Sequence, residues 1–270
     1  MGTSINKQKI LARSLFNIND GVGAPAPSKK DPDELDAVFW FDMTDTSELI
    51  GHIEDRSING VNCKIQTTYK LIGGNAESAI PYVESGQNSL GYTNFNGDGF
   101  PWLQMSEGTE LGSEAASINL GSNYSIFVVV DNEAESGVSG ITGGRNPNAY
   151  VLRFSGNALI QSVFDSGGNV ADSIATSSEF GSVIATTSYD AETGGLVELR
   201  WNGTDTNSPG EFEGSPVNEA KILVGKSNNS AQYFTGRIYE FAIFNRVLVD
   251  EDKDLLDAYV EDKYNVEFEG

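Results

Sequence analysis

Short runs of apolar residues alternate with clusters of glycine, asparagine, serine and aspartate from about residue 36 to residue 245. The run over 125–130 is continuously apolar, which is typical of a strand that is buried on both faces. The runs over 196–201 and 237–244 alternate between apolar and polar residues, as strands with one buried face do. Many short strands with frequent turns predict an antiparallel β-sandwich.

Two turn signals indicate where neighbouring strands pair. Ser155-Gly156-Asn157 separates the apolar runs over 150–154 and 158–164, which predicts a hairpin. Asn202-Gly203 follows the run over 196–201, and this dipeptide is typical of a tight hairpin turn.

Helical spacing of apolar residues is confined to the two ends of the chain. Near the C-terminus, Leu255, Leu256 and Tyr259 predict a helix from about Asp250 to Lys263. The first turn of this helix would contain three carboxylates, which complement the positive end of the helix dipole.

The first thirty residues differ from the rest in charge. They contain five basic residues and one acidic residue, whereas the whole chain has a net charge of -22. Their apolar stripe predicts a short amphipathic helix, and residues 23–28 resemble an extended linker. We therefore expect an N-terminal arm and linker over 1–35 and one β-sandwich domain over 36–270. The arm either packs on its own domain or binds a partner through its basic and apolar residues, which are Lys7, Lys9, Ile10, Leu11, Arg13, Leu15 and Phe16.

Composition excludes several classes of function. Seventeen basic residues against 39 acidic residues give a surface that repels phosphate, so we expect no nucleic-acid partner. No apolar run approaches the roughly 20 residues that span a bilayer, and no secretory signal is evident, so we expect no membrane partner. One cysteine and one histidine leave no intrachain disulfide, His/Cys metal site or Cys–His catalytic pair. We expect no cofactor and no metal, although Asp45, Asp98 and Asp131 are the carboxylates open to calcium.

Four sequence blocks carry a family resemblance. Residues 234–248, together with Tyr259-Val260 and Lys263-Tyr264, resemble the last strand and closing helix of the concanavalin A-like (laminin G-like) lectin/glucanase superfamily. Earlier blocks over 39–47, 55–60 and 94–99 follow in family order, and the first resembles the opening of many phage and bacterial members. The resemblance implies an antiparallel jelly-roll β-sandwich with a short C-terminal helix and an extended N-terminal arm.

An acidic residue interrupts the last predicted strand. Regular alternation would place Ile238, Glu240 and Ala242 on one face and Phe241 on the other. If it is buried, Glu240 needs a partner, and Arg246 is the candidate. We expect this pair to be structural rather than catalytic, because buried charges are usually paired for packing reasons.

Paired acids would indicate a glycoside hydrolase, since enzymes of this superfamily carry two carboxylates on one strand. The nearest pairs, Glu211 with Glu213 and the acids within 131–135, lie among predicted polar loops without the flanking pattern. We interpret them as solvated loops and expect no enzymatic activity.

Glycan binding needs exposed aromatic residues that stack on sugar faces. The best candidate patch consists of Trp102, Tyr92 and Asp98, whereas Trp40 and Trp201 lie in strand patterns that indicate core. Core packing of Trp102 is the alternative, because large aromatic residues are mostly buried.

Three functional hypotheses follow. The first is a non-enzymatic phage virion protein, a capsid decoration or tail-associated domain that is located in the virion and bound to other virion proteins through its arm. We also expect a homo-oligomer. The second is a carbohydrate-binding module or adhesin, secreted or on a cell surface, that binds host surface glycans. The third is a glycoside hydrolase.

Deletion of residues 1–30 tests the first hypothesis. The truncated protein should stay folded but no longer assemble onto particles, because the arm supplies the contacts with its neighbours. Quantitative protein analysis of purified particles measures this loss. Particles that carry the truncated protein at full occupancy would contradict the prediction.

Overall fold

Two large antiparallel sheets and one C-terminal helix make up the described part of the computed structural model. It describes residues 29–268, apart from 55, 76–78, 96–100, 135–136, 146, 177–179, 207–208 and 228–231. The all-β architecture that the sequence predicts is therefore confirmed. No helix within these residues is both long and apolar enough to cross a bilayer.

The first sheet is built around two central strands, β10 (Tyr124–Asn132) and β20 (Gly236–Phe244). Strand β1 (Phe39–Asp42) pairs with the same edge of β20 as β7 (Tyr92–Phe95) does, and β18 (Gly210–Phe212) pairs with β16 (Gly194–Trp201). In sheet order the strands are β17 (Thr204–Asp205), β16 (Gly194–Trp201), β15 (Phe180–Asp190), β10 (Tyr124–Asn132), β20 (Gly236–Phe244), β7 (Tyr92–Phe95), β6 (Ile80–Val83) and β3 (Ser57–Ile58), with β1 (Phe39–Asp42) and β18 (Gly210–Phe212) alongside.

The second sheet lies against the first. Strand β9 pairs with β19 beside the main path of this sheet. In sheet order the strands are β14 (Val170–Thr176), β13 (Ala158–Phe164), β12 (Tyr150–Ser155), β11 (Val138–Arg145), β19 (Glu219–Val224), β8 (Leu103–Ser106), β5 (Lys70–Gly73), β4 (Gly60–Asn62) and β2 (Leu49–Ile50), with β9 (Ser117–Asn119) alongside.

Both predicted turns and the predicted helix are confirmed. The Gly156-Asn157 turn joins β12 to β13, and Asn202-Gly203 joins β16 to β17 with φ angles of 47° and 78°. Positive φ at both positions is what a twisted two-residue hairpin requires, and asparagine and glycine tolerate it. Helix α1 covers Asp250–Tyr264 and ends at Asn265 in a left-handed conformation.

Two apolar clusters flank the first sheet. The larger lies between the sheets and includes residues of both, whereas the smaller lies between the first sheet and α1. Trp40 and Trp201, the predicted core tryptophans, are each 6% exposed. Because α1 covers the outer face of the first sheet, the central strands β10 and β20 are buried on both sides, which explains their continuous apolar character.

A β-bulge in β20 overturns the predicted alternation of that strand. Val129 of β10 pairs with Glu240 and Val130 pairs with Ile238, so Tyr239 is an extra residue in the ladder. The bulge places Ile238 and Phe241 together in the cluster between the sheets. The expectation that Ile238 shares a face with Ala242 is therefore wrong, because Ala242 packs in the cluster beneath α1.

Glu240 is fully buried, and four donors surround its carboxylate. The Nε1 of Trp40 donates to it at 2.9 Å, the Nζ of Lys263 at 2.9 Å, and the hydroxyls of Tyr264 and Tyr259 at 2.7 and 3.0 Å. Three of these donors belong to α1, so the carboxylate joins the helix to the sheet.

The predicted partner of Glu240 is wrong. Arg246 instead contacts Asp252 at 2.5 Å and donates to the carbonyl of Leu35 at 3.0 Å. Residue 246 lies past the end of β20, in the segment that leads into α1, and its guanidinium holds this segment and the chain before β1.

Burial and charge keep the two tyrosines protonated. Burial first, and then the neighbouring carboxylates of Glu240 and Asp42, raise the pKa of Tyr264 well above its usual value, and the same causes raise the pKa of Tyr259. Both hydroxyls therefore remain neutral donors to Glu240. The Nζ of Lys263 also bonds to Asp42 at 3.0 Å, so one ammonium group compensates two buried carboxylates.

The N-terminal arm and most of its linker, including the predicted binding residues between Lys7 and Phe16, lie outside the described residues. The described chain before β1 packs against the helix side of the first sheet. Leu35 is buried in the smaller cluster, and Lys29 forms an ion pair with Asp262 of α1. The role of the arm and the boundary at residue 35 stay predictions.

Substitution of Lys263 by methionine should destabilise the fold by about 3–5 kcal/mol, because it leaves the buried carboxylate of Glu240 without the ammonium that contacts it and leaves Asp42 only the more distant Lys64, at 3.5 Å. Chemical denaturation measures this loss of unfolding free energy. The matched control is Lys221→Met, since Lys221 pairs at 3.5 Å with the highly exposed Glu114 and should contribute no more than about 1 kcal/mol. Equal effects of the two substitutions would contradict the role given to Lys263.

Candidate functional site

Trp102 lies immediately before β8 and is partly exposed, unlike the other two tryptophans. Its carbonyl accepts a hydrogen bond from the amide of Gly74 at 2.9 Å, and its indole lies against the backbone of the same glycine. A Cβ atom at Gly74 would come within 2.2 Å of the ring, so only glycine allows this approach without moving the indole. The ring thus lies against the backbone just past the end of β5, with part of its surface open to solvent.

Two cations converge on this indole. The guanidinium carbon of Arg145 lies 5.3 Å from the ring centroid, and the Nζ of Lys226 lies 5.1 Å from it. Both distances are within the roughly 6 Å over which a cation is attracted by an aromatic face. Arg145 ends β11, and Lys226 follows β19, so the two charges come from neighbouring strands of the second sheet.

A second aromatic residue completes the cluster. The Nζ of Lys226 lies 4.6 Å from the ring centroid of Tyr233 and 3.2 Å from its hydroxyl. We call these four residues the Trp102 cluster: Trp102, Arg145, Lys226 and Tyr233.

The segment that carries Lys226 and Tyr233 is fixed by backbone bonds. Lys226 and Tyr233 form a β-bridge, and the amide of Phe234 donates to the carbonyl of Gly225 at 2.9 Å. Gly225 has a φ of 80°, and a Cβ atom there would lie 2.2 Å from the ring of Phe95. Both the backbone conformation and the lack of space therefore favour glycine at this position. Two aromatic rings and two cations are therefore held by the ends of strands.

The structure separates Tyr92 from Trp102. Tyr92 is 7% exposed and packs in the cluster beneath α1, with its ring 5.5 Å from that of Tyr239. It lies on the first sheet, whereas Trp102 adjoins the second. Asp98, the third residue of the predicted patch, lies outside the described residues. Trp102 is thus the one member of that patch on which a site can be built here.

The acids singled out from the sequence have diverse surroundings. Asp131 and Glu133 both pair with Arg237, and Asp45 pairs with Lys64 at 3.0 Å. In the part of the chain that the structure describes, no group of three or more histidine, cysteine, aspartate or glutamate residues is arranged to hold a metal ion.

Glu211 and Glu213 line a cleft of about 720 Å³ at the edge of the first sheet. Glu211 belongs to β18 rather than to a loop, so the expectation that it lies in a loop is wrong. The rings of Tyr189 and Phe212 stack in this cleft with centroids 6.0 Å apart. Within β18 the side chain of Phe212 packs in the core, so that of Glu211 lies on the opposite face, and Glu213 follows the end of the strand; both glutamates are exposed.

Comparison with solved structures shows that the fold is shared with larger proteins. The binding domain of botulinum neurotoxin serotype G matches with a TM-score of 0.54 and 12% identity, over 81% of this chain and 50% of that one. The serotype D binding domain matches with a TM-score of 0.53 and 12% identity, over 82% and 50%. A Trypanosoma rangeli sialidase, solved in complex with 2,3-difluoro-KDN, matches with a TM-score of 0.54 and 14% identity, over 96% and 39%.

These likenesses concern the fold alone. The chain spans about half the length of the toxin domains and about two fifths of the sialidase that it matches. No protein-family model and no curated protein sequence matches the chain. The concanavalin A-like family and the phage origin that the sequence suggests therefore stay predictions.

Tryptophan fluorescence quenching tests the charge environment of Trp102. Iodide quenches indole more efficiently than caesium whatever the local charge, so each ion is compared between the unmodified protein and a variant. Arg145 and Lys226 attract anions to the most accessible indole. We expect the Arg145→Gln/Lys226→Gln double variant to have a lower Stern–Volmer constant for iodide and a higher one for caesium than the unmodified protein. Unchanged constants for both ions would contradict the described geometry.

Proposed function

We propose that this β-sandwich is a glycan-binding domain whose binding surface is the Trp102 cluster. The observation that carries the proposal is the convergence of Arg145 and Lys226 on a partly exposed indole. A carbohydrate-binding module or adhesin is therefore favoured over a purely structural virion protein.

The chemistry of a sugar ring matches this surface. One face of a pyranose presents C–H groups that pack on an aromatic ring, while its hydroxyls need hydrogen-bond donors and acceptors at the edge of that ring. The part of the Trp102 indole that is open to solvent offers apolar surface, and Arg145 and Lys226, which lie over the ring, offer donors next to it together with the Tyr233 hydroxyl. The backbone around Gly74 and Gly225 holds the platform in place before a ligand arrives, which limits the entropy lost on binding.

The shared fold supports the proposal at a coarser level. Two of the matched structures are described as binding domains, and a third, of serotype G, as a receptor-binding domain. The matched sialidase was solved with a bound sugar acid analogue. Because fold alone does not determine function, these likenesses add weight to the site but do not replace it.

Attachment to a particle remains compatible with glycan binding. A basic arm over 1–35 can anchor the domain while the Trp102 cluster binds a surface glycan. A virion location and homo-oligomeric assembly stay predictions from the sequence, and residues 1–28 lie outside the described part of the chain.

Glycan-array binding with the full chain tests the proposal. We expect at least one class of glycan to bind, and Trp102→Ala should weaken that binding at least tenfold, or by about 1.4 kcal/mol, because it removes the stacking platform. Trp102→Phe should retain part of the affinity, since a smaller ring remains.

Tyr189→Ala is the matched control, because Tyr189 is a partly exposed aromatic residue in the separate acidic cleft. Thermal unfolding of each variant identifies losses that arise from misfolding. Loss of binding in Tyr189→Ala with Trp102→Ala unaffected would contradict the proposed site. Release of reducing sugars from a bound polysaccharide would favour the glycoside hydrolase hypothesis instead.

A further inference from the structure

The charges of the Trp102 cluster point to a narrower class of ligand. We infer that the glycan bound there is anionic, with a carboxylate or a sulfate held by Arg145 and Lys226. This inference rests on the proposed function, since it names the ligand class of the same site.

The first observation is the lack of compensating acids around these two cations. Among the residues that the structure describes, no carboxylate lies within 4.0 Å of Arg145 or Lys226, although the chain has 39 acidic residues. Most of the other cations on the sandwich are paired. Arg200 contacts Asp254 and Asp257, Arg237 contacts Asp131 and Glu133, and Lys263 contacts Asp42 and Glu240.

The second observation is an unsatisfied donor on Arg145. Its Nε atom is buried and has no hydrogen-bond partner among the described residues. A buried donor without an acceptor is unfavourable, so such groups are uncommon in native proteins and point to an acceptor supplied by water, an ion or a ligand. A movement of the Arg145 side chain toward an anionic ligand would expose this donor and allow it to bond.

The third observation is the geometry of the two cations relative to the ring. The guanidinium of Arg145 can hold a carboxylate or sulfate through two parallel hydrogen bonds, and the ammonium of Lys226 acts as a compact second charge. Both lie about 5 Å from one ring centroid, at 5.3 and 5.1 Å. A sugar stacked on Trp102 would therefore place an exocyclic anion within reach of both.

The overall negative charge of the protein opposes the binding of anions. A net charge of -22 repels anions in general, so an anionic glycan is retained only where local cations outweigh that field. A neutral glycan would need no such arrangement. An anionic ligand would supply the two cations with the negative charge that no described residue places within 4.0 Å of them, and a neutral ligand would not.

Titration calorimetry with three matched probes tests the inference: lactose, sialyllactose as the carboxylate form, and sulfated lactose as the sulfate form. We expect one or both anionic probes to bind the full chain at least tenfold more tightly than lactose. Binding of only one of them identifies the anion. The preference should weaken as salt concentration rises.

Variants assign the preference to the two cations. Arg145→Gln and Lys226→Gln should each reduce the ratio of anionic to neutral affinity toward 1, and Arg145→Lys should retain only part of it because the planar fork is lost. Lys221→Gln is the control, since Lys221 lies on β19 in the same sheet but pairs with Glu114. Thermal unfolding shows whether each variant is folded.

The outcomes separate this inference from the proposed function. If lactose binds as tightly as the anionic probes and the binding depends on Trp102, the inference is wrong and glycan binding stands. If an anionic preference persists unchanged in both glutamine variants, the inference is also wrong. If neither these probes nor any glycan on the array binds, the proposed function itself fails.

Discussion

The fold depends on one buried carboxylate. Glu240 lies on the central strand of the first sheet, and its oxygens accept hydrogen bonds from Trp40 on β1 and from three residues of α1. Removing a charge from water costs several kcal/mol unless the site supplies donors in good geometry, and here four donors do so. The same set of bonds fixes where α1 lies, so the outer face of the sheet is covered and the central strands can be apolar on both sides. The bulge at Tyr239 makes this arrangement possible, because it turns Glu240 and Tyr239 together toward the helix.

The shortage of basic residues links this core to the candidate site. The chain has only 17 lysines and arginines against 39 acids. Several of these basic residues form ion pairs with Asp42, Asp131 and Asp257. These ion pairs connect the helix to the sheet and connect the ends of neighbouring strands. Against that background, Arg145 and Lys226 are distinctive, because they face an indole and no described carboxylate lies within 4.0 Å of either. Their position is a property of where strands β11 and β19 end, and the sheet therefore determines the charge of the site.

Local patterns predicted much of the fold, because they depend on neighbours in sequence. The hairpin at Gly156-Asn157, the Asn202-Gly203 turn and the helix from Asp250 were all predictable from residues within a few positions of one another. The bulge was not, because an extra residue in a strand has no clear signal without the register of its partner. The prediction of Arg246 as the partner of Glu240 was wrong for a related reason. Arg246 is close to Glu240 in sequence, whereas Lys263 reaches the carboxylate only once α1 has folded back over the sheet.

The Trp102 cluster was harder to predict from local sequence than the partner of Glu240. Consecutive members are separated by between 7 and 81 positions along the chain, and they meet only through the order of strands in the second sheet. Trp102 itself was a candidate because its sequence context is rich in glycine and aromatic residues. Tyr92 shared that context but lies on the other sheet, where the helix covers it. A signal for Arg145 and Lys226 existed only as the position of each basic residue next to a predicted strand end, which many surface residues share.

The placement of the described carboxylates bears on the choice between binding and hydrolysis at the Trp102 cluster. Hydrolysis of a glycosidic bond needs a proton donor and a second carboxylate within reach of the substrate. Glu240 and Asp42 are buried beneath α1, and their oxygens are already engaged by Lys263 and its neighbours. In the described ranges, the surroundings of Trp102 offer cations and hydroxyl groups rather than carboxylates within ion-pair distance of those cations. These groups suit the anionic glycan that we propose for this cluster.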